Sequence, residues 1–384
     1  MKPKLVRITT VPISLEKLLE GQLQYMSKDF NLHIISSNEK YLKKIAQRED
    51  VTYTTIGLTR KITPIRDLIA LFKMIRVFYK LRPNIVHSHT PKAGTIGMLA
   101  AWISRVPNRI HTVAGLPLME STGVKFKILK IVEKLTYACA SKIYPNSMGL
   151  KDYILREKLT DARKITIIGN GSSNGINTNY FSRLAIDEEV INDVRTKWNI
   201  NKADKVLLFV GRVVKDKGIN ELLKSFKSIS DHHPDLKLVI VGPLEEELNP
   251  ISSESFEILK NHPRVIHTGF QNDVRPFFAV ADLFVFPSYR EGFPNVVLQA
   301  GAMEVPSIVS NINGCNEIIR NEENGLIVEA KNEDRLRMAI LSLIQGEEKL
   351  RKLKSNTRQI IVQNYERSFI CKELLKEYKS LSKI

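Results

Sequence analysis

The chain switches repeatedly between short β-branched runs and longer stretches with apolar residues at three and four spacing, and it does so in two separate series. The first series contains K-L-V-R-I-T-T, N-L-H-I-I-S-S, V-T-Y-T-T-I, N-I-V-H-S-H, R-I-H-T-V, K-I-Y-P-N-S and K-I-T-I-I-G. Helical segments such as I-R-D-L-I-A-L-F-K-M-I-R-V-F-Y-K lie between them. The second series restarts with K-V-L-L-F-V-G and runs through K-L-V-I-V-G, R-V-I-H-T-G, D-L-F-V-F-P, S-I-V-S and G-L-I-V. Continuous apolar strands alternating with helices predict parallel sheets covered on both faces. Two such series predict an α/β chain of two Rossmann-like, doubly wound domains. A length of 384 residues is too great for one core and fits that division.

The series meet at G-N-G-S-S-N-G-I-N-T-N, residues 169–179, whose Gly, Asn and Ser continue neither strand nor helix. This stretch reads equally as a surface linker or as a hinge. The domains are expected at 1–176 and 177–365, with 366–384 a helix packing back on the first.

No apolar run reaches the ~20 residues that span a bilayer. The strand-like start flanked by Lys2 and Lys4 is expected to be mature structure without a signal peptide. Three scattered cysteines, Cys139, Cys315 and Cys371, point to a reducing cytosol and to neither a disulfide framework nor a thiolate metal site. Residues 1–178 hold 29 Lys and Arg against 12 Asp and Glu, which accounts for all of the net charge of +17. One half is therefore expected to meet an anionic surface or substrate.

In the second series the first strand leads into G-R-V-V-K-D-K-G, Gly211 to Gly218. Arg212 then lies at the carboxyl edge of a parallel sheet, where open α/β sheets bind ligands. Lys217 and Gly218 fall where the next helix starts, so an ammonium and free N–H groups converge on a diphosphate-sized anion site. A solvated basic turn including Lys215 is the other reading. Neither GxGxxG nor GxxxxGK[ST] occurs, which excludes the usual dinucleotide and P-loop phosphate grips.

Downstream, D-L-F-V-F-P closes a strand and S-Y-R-E-G-F-P-N turns into the helix V-V-L-Q-A-G-A. N–H groups at Phe293 and Asn295 are expected free at that helix start, with Pro294 in its first turn. Glu291 projects ahead of a helix N-terminus that favours its charge. Gln299 follows eight residues later.

Arg212, Lys217, E-G-F-P and a polar residue eight after the Glu together resemble glycosyltransferase family 4. The likeness extends to N-I-V-H-S-H, I-G-N-G-S-S-N-G-I-N, G-C-N-E-I-I and E-N-G-L-I-V. T-V-P-I-S-L, H-T-V-A-G-L-P-L-M-E and S-Y-R-E-G-F-P-N-V-V-L-Q-A-G-A-M-E are similar to bacterial members that extend polyprenyl-diphosphate-linked glycans. The resemblance implies the GT-B fold, two Rossmann-like domains facing across a cleft, and a nucleotide-sugar donor, with UDP and an N-acetylhexosamine expected. It implies that Arg212 and Lys217 neutralise the diphosphate leaving group without a metal or other cofactor. Glu291 would hold sugar hydroxyls, with Phe293, Pro294 and Asn295 cradling the sugar. Gly211 and the loop H-T-G-F-Q-N with Phe270 belong to the donor side. Most of the family has Glu where Gln299 stands; Gln accepts one hydrogen bond and donates another but loses charge assistance.

On the acceptor side Thr10 and His89 are the candidates, and His111 is the candidate catalytic histidine. His87 and His89 lie two apart on a strand end, but no carboxylate is near in sequence and a metal site is not expected. P-I-R-D-L-I-A-L-F-K-M-I-R-V-F-Y-K-L-R and G-V-K-F-K-I-L-K-I-V-E-K-L mix basic and apolar residues at helical spacing. They read as solvated helices or as helices lying on an anionic membrane. The expected function is a retaining, metal-independent transfer of a sugar to a lipid-linked glycan, on the cytoplasmic face of the cell membrane. A nucleotide-sugar epimerase and a basic nucleic-acid-binding protein are the rivals; the basic residues punctuate amphipathic helices rather than a groove of exposed aromatics, so no nucleic acid partner is expected.

Overall fold

The computed structural model of the chain describes residues 2–59, 63–247 and 249–382. Its first sheet contains β1 (Lys4–Ile8), β2 (Asn31–Ser36), β3 (Thr52–Thr55), β4 (Ile85–Ser88), β5 (Asn108–Val113) and β6 (Lys142–Pro145). The second contains β7 (Lys205–Val210), β8 (Leu236–Val241), β9 (Val265–Gly269), β10 (Leu283–Phe286), β11 (Ser307–Ser310) and β12 (Gly325–Val328). The orders are β3-β2-β1-β4-β5-β6 and β12-β11-β10-β7-β8-β9. Read from the other edge, the second order repeats the first strand for strand. Every pairing is parallel. Each sheet therefore reverses its strand order once, between β1 and β4 and between β7 and β10. These are the two Rossmann-like sheets of the GT-B fold.

K-I-T-I-I-G does not become a seventh strand of the first sheet. Ile165 makes one isolated bridge to Ile143, and Lys164 lies in a short 3₁₀ turn. The ammonium of Lys164 caps the Gly123–Cys139 helix by donating to the carbonyls of Tyr137, Ala138 and Ala140.

Residues Met1–Gly175 group with Arg367–Ile384, and Ile176–Glu366 form the second unit. In the first unit, alternation along β1 sends Val6 and Ile8 to one apolar layer and Leu5 to the other. The second layer also receives Leu374 and Tyr378 of the Arg367–Ser382 helix. Arg7 points into that layer and is wholly buried. It donates to the Tyr378 hydroxyl at 2.8 Å and to the Gln22 amide oxygen. Because Tyr378 accepts from Arg7, its own proton goes to His87 Nδ1, and His87 Nε2–H donates to Thr112 at 2.7 Å. The ion pairs Arg367–Glu20 and Lys379–Asp29, at 3.0 and 2.6 Å, flank the helix on the outside.

The 169–175 segment is not a solvated linker. Ser172 and Asn174 are buried, and Gln22 donates to the Ser173 carbonyl and to the Asn174 side chain, both at 3.1 Å. Polar residues were chosen there because their side chains replace the missing backbone ladder. Cys139, Cys315 and Cys371 are all buried.

Candidate functional site

In the second unit the loops leaving β7 and β10 lie side by side, because those strands pair. The β7 loop runs through a 3₁₀ turn, Lys215–Lys217, into the Ile219–Ser230 helix. Gly218 joins them at φ +72°, and a Cβ there would meet the Pro287 carbonyl oxygen at 2.1 Å. Only a residue with no side chain lets the two loops approach this closely. The Asp216 carbonyl then accepts from Tyr289 N–H at 2.9 Å and from the Ser288 hydroxyl at 3.3 Å.

The charged groups meet across this seam. Lys217 forms an ion pair with Glu291, each side chain being less than a fifth exposed. Its ammonium lies 5.4 Å from the centroid of Phe286, which stacks on Phe209. Ser288 donates to Glu291 at 3.0 Å. An apolar floor with little water strengthens such a contact and holds both groups in place. Arg212, at the end of β7, is half exposed and pairs with Glu245 at 2.9 Å.

The turn carrying Glu291 is fixed from behind. Asn313 donates to the carbonyls of Glu291 and Gly292 at 3.0 and 2.7 Å. A Cβ on Gly314, at φ +75°, would meet the Gly292 carbonyl oxygen at 2.5 Å. The helix that follows is Asn295–Ala302, so Pro294 is its cap and not a residue of its first turn. The Pro294 carbonyl accepts from Val297 N–H at 3.1 Å, and the N–H groups of Asn295 and Val296 precede the intrahelical ladder. Phe293 and Pro294 are buried, Asn295 is exposed, and Gln299 is partly exposed. Phe270, just past the carboxyl end of β9, is 70% exposed. Gly211 closes β7 through its N–H to the Val241 carbonyl at 2.9 Å.

The first unit treats its residues differently. Thr10 is buried, and its N–H and hydroxyl bond the Thr90 hydroxyl at 2.9 and 2.7 Å, pinning the β1 and β4 loops together. His89 is also buried, its ring tilted against His87 at 4.0 Å between centroids, with both ring nitrogens unpartnered. It lines a cavity of about 20 Å³ with Gln22, Asn146 and Ser173, a volume suited to one water and not to a sugar. His111 lies inside β5, bonded to Ser88 at 2.8 Å. A Cβ on Gly94 would come within 2.4 Å of its ring, so the Pro91–Ile103 helix seals it. Burial lowers its pKa to about 4. The reading of His111 as the catalytic histidine is thereby corrected: a ring sealed in a sheet packs the core and offers no open proton-transfer site.

Reading the sequence alone missed four residues of the β7–β10 edge: Asp216, which pairs with Arg290; Glu245; Asn313; and Gly314. The Asn-Gly pair after S-I-V-S was a visible turn signal at a strand's carboxyl end, hence on the same edge.

Residues 190–360 match the family model described as glycosyl transferases group 1, and residues 18–147 match glycosyl transferase 4-like. The chain is 37% identical to the capsular polysaccharide biosynthesis glycosyltransferase CapM of Staphylococcus aureus, covering 99% of this chain and 98% of that protein. It is 29% identical to the UDP-Gal:alpha-D-GlcNAc-diphosphoundecaprenol alpha-1,3-galactosyltransferase of Escherichia coli, covering 88% and 86%. The structure of Anabaena Alr3699/HepE in complex with UDP and glucose has a TM-score of 0.80 at 16% identity, covering 98% of this chain and all of that one; this likeness is one of fold.

Proposed function

The chain belongs to glycosyltransferase family 4 and is a glycosyltransferase of the GT-B fold; from that premise we propose that it transfers a sugar from a uridine diphosphate donor to a lipid-diphosphate-linked glycan, with retention and without a metal. The observation carrying this reading is the placement of Arg212, the Lys217–Glu291 pair and the start of the Asn295–Ala302 helix on loops at the carboxyl edge of the second sheet. Two cations and unpaired N–H groups suit a diphosphate. As the bond from C1 to the diphosphate oxygen breaks, its electron pair goes to that oxygen, and Arg212 and Lys217 offset the new charge. The acceptor hydroxyl adds to C1 from the same face and gives its proton to the departing oxygen. Glu291, braced by Lys217 and Ser288, holds sugar hydroxyls, and the exposed ring of Phe270 offers a face for the base. The E. coli relative's UDP donor, lipid-diphosphate acceptor and α-linkage support the same choice. An N-acetylhexosamine is the sugar proposed.

The acceptor's lipid is proposed to bring the chain to an anionic, inner membrane face. No helix among the described residues is long and apolar enough to cross a membrane. The helices Pro64–Leu81 and Gly123–Cys139 both pack on Pro91–Ile103. The first leaves Ile65, Leu68, Ile69 and Phe72 exposed beside Arg66, Lys73 and Arg76. The second buries Glu133 and Thr136 while exposing Val124, Ile128, Ile131 and Leu135 among Lys125, Lys127 and Lys134. That inversion suits an interface where apolar groups enter lipid and lysines meet headgroups.

An epimerase needs a second acid–base group beside the sugar, and His87, His89 and His111 are all buried in the first unit. The test is transfer from labelled UDP-N-acetylhexosamine to an undecaprenyl-diphosphate-linked sugar. Arg212→Ala is expected to lower the rate roughly 10²–10³-fold. Near-wild-type turnover in that variant, or a converted donor sugar in the absence of acceptor, overturns the reading.

A further inference from the structure

Both cations assigned to the diphosphate hold a carboxylate, but the two pairs differ in kind. Lys217–Glu291 is nearly enclosed and shares Ser288. Arg212–Glu245 lies at 2.9 Å with side chains 47% and 29% exposed, so it costs far less to open. Its geometry is nevertheless imposed by the backbone. Val213 bridges Leu244 in parallel, Val213 N–H donates to the Pro243 carbonyl at 2.8 Å, and Glu245 N–H reaches the Val213 carbonyl at 3.4 Å. Farther along, Lys215 N–H donates to Asn249 at 2.9 Å. The segment after β8 is thus laced along the segment after β7, and that lacing delivers Glu245 to the guanidinium. Two long surface side chains meeting by chance would show no such ladder.

We propose that Glu245 is an internal stand-in for the donor's diphosphate, a specificity residue that occupies Arg212 until a ligand with more phosphate charge displaces it. This rests on Arg212 being a diphosphate ligand. A guanidinium fork pairs with phosphate oxygens more strongly than with one half-solvated carboxylate, so a diphosphate wins the exchange. Ligands lacking that charge gain nothing from it. Once transfer is complete, Glu245 retakes Arg212 as the nucleoside diphosphate leaves, which keeps the product from lingering.

The experiment is calorimetric titration of the full chain with UDP, with GDP and ADP in parallel, and uridine measured by competition. The proteins are wild type, Glu245→Gln, Arg212→Ala and the double variant, with melting temperatures recorded to establish folding. An exposed ion pair of ~0.2–1 kcal/mol corresponds to a gain of up to about five-fold. Glu245→Gln is therefore expected to bind UDP two- to five-fold more tightly, with uridine unchanged and no gain when Arg212 is already Ala. Unchanged or weaker UDP binding by Glu245→Gln overturns the proposal. A gain of equal size in the Arg212→Ala background also overturns it, since it would report removal of a charge and not release of Arg212. If Arg212→Ala binds UDP as wild type does, the assignment of Arg212 falls instead. If wild type binds none of the three nucleotides, both fall.

Discussion

Acid should destabilise the first unit through histidines that the fold keeps neutral. His33 bonds Thr52 and Thr54 at 2.8 and 2.9 Å, and burial lowers its pKa to about 4. His111 is brought to about 4 by the same cause. Burial, then the charges of neighbouring groups including Arg7, holds His87 and His89 well below the ordinary value. A base whose folded pKa is depressed binds fewer protons folded than unfolded, so stability is lost as pH falls below ~6.5 and continues to fall until about 4. Each pH unit in that window costs about 1.4 kcal/mol per histidine. At pH 5 His33 and His111 together cost about 4 kcal/mol relative to pH 8, a large part of the 5–15 kcal/mol typical of a domain. Urea unfolding followed by circular dichroism at pH 8, 7, 6 and 5 measures this. His33→Gln should lose about 2 kcal/mol less than wild type between pH 8 and 5, whatever its stability at pH 8. Equal losses in the two proteins would refute the reasoning, because every other titrating group is common to both.

Two further outcomes bear on the proposed function. Gln299→Glu restores a charge-assisted acceptor and should tighten UDP binding by about 1 kcal/mol, roughly five-fold, in a titration; weaker binding would mean that the ribose is held elsewhere. The wild-type chain should float with phosphatidylglycerol vesicles at low salt and be released as salt rises. Phe72→Glu combined with Ile131→Glu should abolish flotation without lowering the melting temperature, since both side chains are exposed; a wild-type chain that never floats sinks the membrane reading.

Twelve of the thirteen short apolar runs became strands, so both sheets were legible from the alternation of strand and helix. K-I-T-I-I-G failed because Lys164, placed by composition at a strand start, is used instead to cap a helix. The position of Arg212, Lys217 and Glu291 on the carboxyl edge was legible because each follows a buried strand by a short stretch of loop. The histidines misled for the opposite reason. His89 follows β4 and His111 lies within β5, and whether such a side chain faces out or is covered depends on a neighbouring helix, here one whose Gly94 admits the His111 ring. Asn313 and Glu245 were hidden because they act across loops distant in sequence, 22 and 33 residues from their partners.

The two sheets share one strand order, yet the loops at their two reversal points are filled differently. Between β7 and β10 the loops present Arg212, Lys217 and Glu291 over an apolar floor. Between β1 and β4 the equivalent loops spend polar groups on each other, through Thr10 and Thr90, and His87 and His89 are buried beneath. A reversal point splits two loops apart and so always creates a crevice; what it binds is decided by the residues that fill it. Arg7 donates to Tyr378 and Gln22, and Tyr378 bonds His87, so these polar groups serve one another inside the unit. Part of the first unit's excess of positive charge faces outward on the exposed lysines and arginines of Pro64–Leu81 and Gly123–Cys139.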